Sequence, residues 1–473
     1  MHRVRAFASL TAVLLVVPAG CSVAGATADG AAEQVVVGYQ SKTINTVTAG
    51  TLLRAQGYFE KRLEDLGRET GKRYAVTWQD YDTGAPITAQ MMAGKIDIGS
   101  MGDYPLLINA ARGQQNAQTH TKLVAVTGYN VRGALNSVVV APGSPVRSLA
   151  DLKGRTVSTS VGSAGHGLLV QAARKAGVDP ERDFKTENQQ PQVGASALES
   201  GAVAALSQFV AWPGLLVHRG QARLLYDGGA LGVPTLHGTV VRERFATDHG
   251  DVVRAFLRAQ LDATKYLHEQ PLAAARIVAE ATGLPPEVVY LYNGANGVAT
   301  FDLTLKPVLR AALEQDIPFL TSIGVLQKVD LAAFVDDSHL RAVYGADLDR
   351  DTASTVNPAA ITGTDKACGR PVTDPALASE VWPAGGEATQ PAATPTCALR
   401  AVRALGAAPR AVYVPDATTG TRWFADKSVW VRDPKAPEGE RLKPFAAPST
   451  AASYVDSHPG AAVVPYDEAV RSA

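Results

Sequence analysis

An α/β architecture followed by a small α+β unit is what this 473-residue sequence predicts, and three observations carry that expectation. Short apolar, β-branched runs alternate with amphipathic stretches from residue 35 to about 344. A segment rich in Ala, Thr, Pro and Gly, residues 346–395, then interrupts the alternation and reads as a linker. Ordered patterning resumes at Cys397 and continues to the C-terminus. Alternation of strand and helix is the signature of a parallel α/β sheet.

The elements follow in order. Residues 35–37 form a buried-strand run, 51–66 carry Leu52, Leu53, Phe59, Leu63 and Leu66 at helical spacing, and 74–78 alternate as a strand. A short helix over 85–93 leads to strands at 96–99, 123–127 and 137–140. Ser148, Asp151 and Gly154 frame a one-turn helix as N-cap, capping partner and stop. A strand at 156–160 precedes a helix over 167–176, then come a helix at 195–200 and strands at 202–210 and 222–226. Helices are expected at 252–267, 272–282, 286–293 and 305–315. In the C-terminal part a helix over 397–405 precedes strands at 410–414 and 428–432, a helix over 450–458 and a strand at 462–466.

The N-terminus gives the compartment. Arg3 and Arg5 precede an uninterrupted small and apolar run, 6–17, closed by Pro18-Ala19-Gly20-Cys21. A basic region, a short apolar region and small residues before a cut form a secretory signal. The run is too short to cross about 30 Å of hydrocarbon. The cysteine after Ala-Gly resembles a lipoprotein box, which implies a signal peptide over 1–20, a lipid on Cys21 and a small-residue tether over 21–34. A cut near Ala26 or Ala28 is the competing reading and would discard Cys21. The protein is thus expected on the outer face of the cell membrane, held by its lipid.

Basic and acidic residues both number 45. With Arg3 and Arg5 removed the formal charge is near −2, and no basic stripe points to nucleic acid. Walker loop, His-Glu-x-x-His and Gly-x-Ser-x-Gly patterns are missing from the sequence, so no enzymatic activity is expected.

Several motifs stand in a fixed order: Val37-Gly38-Tyr39-Gln40, Asp82-Thr83-Gly84-Ala85-Pro86, Ala93-Gly94-Lys95-Ile96-Asp97-Ile98-Gly99 with Gly102-Asp103-Tyr104-Pro105, Asp151-Leu152-Lys153-Gly154-Arg155 with Gly162-Ser163-Ala164-Gly165-His166, and Glu199-Ser200-Gly201 with Trp212-Pro213. The ordered set resembles the nitrate/sulfonate/taurine branch of solute-binding proteins of ABC importers. The resemblance implies a type II periplasmic-binding-protein fold: lobe 1 from 35–132 and 229–345, lobe 2 from 133–228, and crossings near 127–132 and 228–233. It further implies a monomer that hands a small organic anion to a permease with its ATPase.

The candidate ligand residues are Gln40, Ser41, Thr83, Asp103, Ser163, His166 and Trp212. Ser163 lies where a helix begins, and free N–H groups and the helix dipole favour an anion there. His166 can donate a hydrogen bond beside it. Gln40 and Ser41 follow the first strand, where open α/β sheets place ligands. Ser41 reads equally as a plain N-cap, Asp103 as a helix cap or the partner of a taurine ammonium, and Trp212 as a cleft wall or core residue. Arg155 is the only arginine in these motifs and sits at a strand start. An organosulfonate therefore fits better than nitrate; a thiamin-pyrimidine precursor is a further alternative.

The C-terminal part, 396–473 with Cys368, carries Cys368-Gly369, Cys397, an Asp416…Thr419-Gly420 turn with Trp423, Ala425-Asp426, Pro444-Phe445-Ala446 and Tyr466-Asp467-Glu468. It resembles the NosL family of copper lipoproteins, which implies soft ligands for Cu(I) and a metal-handling role as the alternative function. All four methionines lie outside this part, at 1, 91, 92 and 101. In an oxidising compartment the two remaining cysteines are expected to pair as a Cys368–Cys397 disulfide rather than hold copper, so no cofactor is expected.

Overall fold

The structure, a computed structural model, describes residues 31–473. The expected signal sequence, Cys21 and most of the expected tether lie outside the described residues. The first strand begins at Glu33, so the tether reading ends two residues earlier than its expected limit at 34.

Eleven strands build two sheets: β1 (Glu33–Tyr39), β2 (Tyr74–Asp80), β3 (Ile98–Gly102), β4 (Thr121–Asn130), β5 (Asn136–Val140), β6 (Thr156–Thr159), β7 (Lys185–Asn188), β8 (Ala205–Phe209), β9 (Arg223–Asp227), β10 (Thr235–Arg242) and β11 (Thr300–Phe301). The first sheet has the order β11-β4-β10-β3-β1-β2 and the second β7-β6-β8-β5-β9. Neither is all parallel. β1 runs parallel to β2 and β3, and β6 parallel to β7 and β8. β10 is antiparallel to β3 and β4, and β5 antiparallel to β8 and β9. The reason is the connectivity: a strand arriving from the other lobe enters its sheet from the hinge side, against the direction of the βαβ strands.

The chain passes between the sheets twice, from Asn130 to Asn136 and from Asp227 to Thr235. The two crossings press together at Gly133, which has a φ of +93°. A Cβ there would overlap the Val233 carbonyl oxygen, and one at Gly228 would overlap the Gly133 carbonyl. Only glycine satisfies both the left-handed backbone and the close approach.

The helix expected over 51–66 is two helices, Thr51–Ala55 and Tyr58–Thr70, divided by Gly57 at φ +63°. The one-turn helix Leu149–Leu152 forms as read, with the Asp151 carboxylate accepting from the Ser148 N–H at 2.9 Å.

The segment 346–395 is not a linker. It carries a short helix, Leu348–Ala353, and strands Thr364–Asp365, Arg370–Pro371, Ser379–Trp382 and Gln390–Ala392. Ser379–Trp382 is a central strand of a four-stranded sheet, between Gln390–Ala392 and Ala411–Pro415, and Arg422–Phe424 closes the far edge. Proline and alanine content mimicked a spacer, but buried Val381 and Trp382 anchor the strand. A three-stranded sheet, Leu442–Phe445, Val429–Arg432 and Ala462–Val464, completes the unit. Its last strand stops at Val464, and Tyr466–Ser472 is helical. Cys368 and Cys397 are joined in a disulfide, so in this state neither offers a thiolate.

The C-terminal unit does not hang free. One hydrophobic cluster runs from Leu206, Leu215 and Leu224 of the second lobe through Tyr290 and Tyr292 into Trp382, Tyr413 and Phe424. Each such side chain, fully buried, contributes on the order of 1.5–3 kcal/mol.

Candidate functional site

A cleft of about 260 Å³ lies between the two sheets. The carboxyl ends of β1, β3, β6, β7 and β8 all point towards it, the position where open α/β folds bind ligands. Four helices also begin at its wall. They are Gly84–Met92 with N-cap Thr83, Asp103–Gly113 with N-cap Gly102, Ala164–Lys175 with N-cap Ser163, and Pro191–Glu199 with N-cap Gln190. Their positive dipole ends converge on one volume, an arrangement that suits an anion, although the Tyr104 and His166 N–H groups are already taken by Asp103 and Ser163.

Side chains complete it. Thr83 makes no capping bond, so its hydroxyl is free for a ligand. The Ser163 hydroxyl accepts the His166 N–H at 3.3 Å and keeps its own proton to donate. Asn188 Oδ1 accepts the Val161 N–H at 3.0 Å, which leaves its amide NH₂ available at the cleft wall. Gln40 lines the cleft with its amide held by the Ser100 carbonyl at 3.1 Å. Ser160 and Thr88 hydroxyls also face the volume, the former accepting from Gln208 at 2.9 Å.

His237 on β10 lines the floor. Burial pushes its imidazole down to about 3, so it is neutral. Asn45 Nδ2 meets its Nδ1 at 2.6 Å. With the amide in that orientation Nδ1 accepts, and the proton sits on Nε2. Arg112 is the one cation of the wall; its guanidinium makes no hydrogen bond or ion pair among the described residues. The wall contains no Asp or Glu. Pro105, Ile108, Val161, Phe209 and Val325 supply an apolar flank.

Of the seven residues expected in the site, Gln40, Thr83 and Ser163 line the cleft and four do not. Ser41 donates from its N–H and its hydroxyl to the Asp80 carboxylate at 2.8 and 2.6 Å, so the end of β2 draws it to the surface. Asp103 lies beneath the wall, 1% exposed, accepting the N–H groups of Tyr104 and Leu236 at 2.8 and 3.2 Å. His166 stacks back on its own helix start, with Nδ1 3.4 Å from the Gly162 N–H, and burial lowers its pKa. Trp212 packs on the hydrophobic cluster under the second lobe. Arg155, weighed as the motif arginine, bonds the Asp151 carbonyl on the surface instead. The sequence reading missed Arg112, Asn188, Gln190, Phe209 and His237. Asn188 and Phe209 close strands β7 and β8, so the strand-end rule could have found them; His237 and Arg112 carried no local signal.

Two α/β lobes of mixed sheets, joined by two crossings around an anion cradle, define the type II periplasmic-binding-protein fold. Within it, residues 75–274 match the family model described as NMT1/THI5 like. The chain is 27% identical over 308 residues to the putative aliphatic sulfonates-binding protein of Escherichia coli (strain K12), covering 64% of this chain and 89% of that one. It is 26% identical over 230 residues to the taurine-binding periplasmic protein of the same organism, covering 48% and 68%. In structure it is similar to the alkanesulfonate-binding protein SsuA of Xanthomonas axonopodis pv. citri bound to MOPS. The TM-score there is 0.53 at 24% identity, covering 65% of this chain and 99% of that one. All three likenesses are too short to take in the whole chain.

Proposed function

We propose that this protein is the extracytoplasmic solute-binding component of an ABC importer and that its ligand is an aliphatic sulfonate without an ammonium group. The observation that carries the reading is the cleft wall: four helix N-termini, neutral donors and Arg112 face one volume that no carboxylate lines. A sulfonate suits it because three equivalent oxygens accept from converging N–H and O–H donors, while the alkyl tail meets Phe209, Ile108 and Val325. Taurine is disfavoured because Asp103, the one carboxylate assigned to its ammonium, is buried behind the wall. The names of the relatives point to the same ligand class.

Delivery to a permease and its ATPase, a lipid on Cys21 and a monomeric state belong to this reading. No helix among the described residues is long and apolar enough to cross a membrane, which is compatible with attachment by lipid alone. A Cys21→Ser variant should be released from cells into the medium, and its retention at the membrane would remove the anchor.

Calorimetric titration of the full mature chain with butanesulfonate, taurine, nitrate and sulfate tests the ligand. The expected order places butanesulfonate at least tenfold tighter than taurine, with the inorganic anions weaker still. Equal or tighter binding of taurine would overturn the assignment, and so would loss of no affinity in Thr83→Ala combined with Ser163→Ala.

A further inference from the structure

Behind the ligand cleft, at the hinge, lies a second cavity of about 10 Å³, room for a single water-sized occupant. Asn136 from the first crossing and Thr235 from the second line it, with Tyr104 and Asp316 from the first lobe and Gln171 from the second. Both lobes and both crossings thus contribute to its wall.

The cavity has an electrostatic problem. Asp316 is 3% exposed and Asp103, packed beside it, is 1% exposed. Burial raises both carboxyls, Asp103 to about 7, and the charge of Asp103 raises Asp316 further; no cationic side chain acts on either. Two buried carboxylates without a counter-charge are costly. Asp103 uses its oxygens on the N–H groups of Tyr104 and Leu236. Asp316 faces the Tyr104 hydroxyl, which itself accepts from Gln171 Nε2 at 2.8 Å. Asn136 is 1% exposed, and its side-chain oxygen and the Thr235 hydroxyl are buried without partners.

We propose that this cavity binds one small hard cation, of sodium or calcium size, held by the oxygens of Asp316, Asn136 and Thr235 with the Tyr104 hydroxyl at the edge. The donor set is all oxygen, which selects hard cations over transition metals. A water molecule would satisfy the orphan oxygens but could not take the place of the proton that burial favours on the carboxyls, whereas a cation can. The cation supplies the counter-charge that Asp316 lacks and ties the first lobe to both crossings. It therefore stabilises the arrangement in which Tyr104 of the first lobe meets Gln171 of the second. This site is separate from the sulfonate cleft and stands or falls without it.

The test uses the full mature chain without sulfonate, freed of metal by chelator and exchanged into choline chloride. Thermal melts with NaCl, KCl, CaCl₂ and MgCl₂ are compared at matched ionic strength. A saturable rise of a few degrees is expected for sodium or calcium, and none for that ion in Asp316→Asn. Direct calorimetric titration of the unmodified chain with CaCl₂ and NaCl, and melts of Thr235→Val, give the answer independently if Asp316→Asn does not fold. Four results would overturn the site: melts that follow ionic strength alone; titrations without heat; a shift retained in both variants; or melts that follow pH near neutrality with no cation effect, which would mean that a shared proton takes the cation's place.

Discussion

At the scale of single residues, charge and tautomer decide what the cleft accepts. Arg112 lines the cleft without a partner among the described residues and offers long-range attraction to an anion. His237, kept neutral by burial, offers a single N–H that costs no protonation. An exposed guanidinium is worth little in water. Arg112→Ala should therefore weaken butanesulfonate by roughly fivefold, about 1 kcal/mol, and the loss should shrink at high salt. Titrations at two ionic strengths check this; a loss that does not change with salt would mean that Arg112 makes a desolvated contact rather than a screened one.

At the scale of elements, the helix Ala164–Lys175 links ligand and closure. Its first turn carries Ser163 as N-cap, and its glycines let neighbours come close. At Gly167 an added Cβ would overlap the ring of Tyr104, which crosses from the first lobe to bond Gln171. Gly167→Ala should leave each lobe folded yet hold them apart. The expected result is at least tenfold weaker sulfonate binding with a larger radius of gyration in X-ray scattering. Unchanged affinity would show that the Tyr104 contact is not needed for closure.

At this scale the sequence was most legible. The strand β6, the capping pair Ser148–Asp151 and the start of the next helix at Ser163 were all readable, because each is specified within a few residues by capping and periodicity. The four misplaced site residues show the converse. Ser41 is captured by Asp80, thirty-nine positions on, and Asp103 by Leu236, 133 positions on; no local pattern announces such partners.

At the scale of the whole molecule, the C-terminal unit is built across the hinge. Arg422 is buried between the rings of Tyr290 and Tyr413 and pairs with Glu380. Tyr413 donates to the Glu287 carbonyl at 2.9 Å. These contacts fix the unit to the helix Pro286–Asn293 of the first lobe. On the other side the Thr419 hydroxyl donates to Asp227 at 2.6 Å, at the end of β9 where the chain leaves the second lobe, and Phe424 meets His218 at 5.3 Å. Closure therefore moves the second lobe against the C-terminal unit as well as against the first lobe.

Burial raises the Asp227 carboxyl above its usual 3.8. A carboxyl raised in this way stabilises the fold fully below its unfolded pKa, and the contribution is lost as pH rises through the folded value. Asp227→Asn removes that titration while keeping an acceptor for the Gly229 N–H. Melts from pH 4 upward should accordingly fall less steeply in Asp227→Asn than in the parent. Parallel curves would exclude Asp227 as a source of the pH dependence.

The sequence by itself determined the alternating elements, the two-lobed architecture through its ordered motifs, and the place of Ser163 at a helix start. Each rests on short-range rules: hydropathy, periodicity, capping and turn chemistry. Only the tertiary structure decided that residues 346–395 fold, that Trp382 anchors a sheet, that Arg112 and His237 face the ligand volume, and that two carboxylates share the hinge. Those outcomes depend on partners far apart along the chain, and burial, not local pattern, chooses among them.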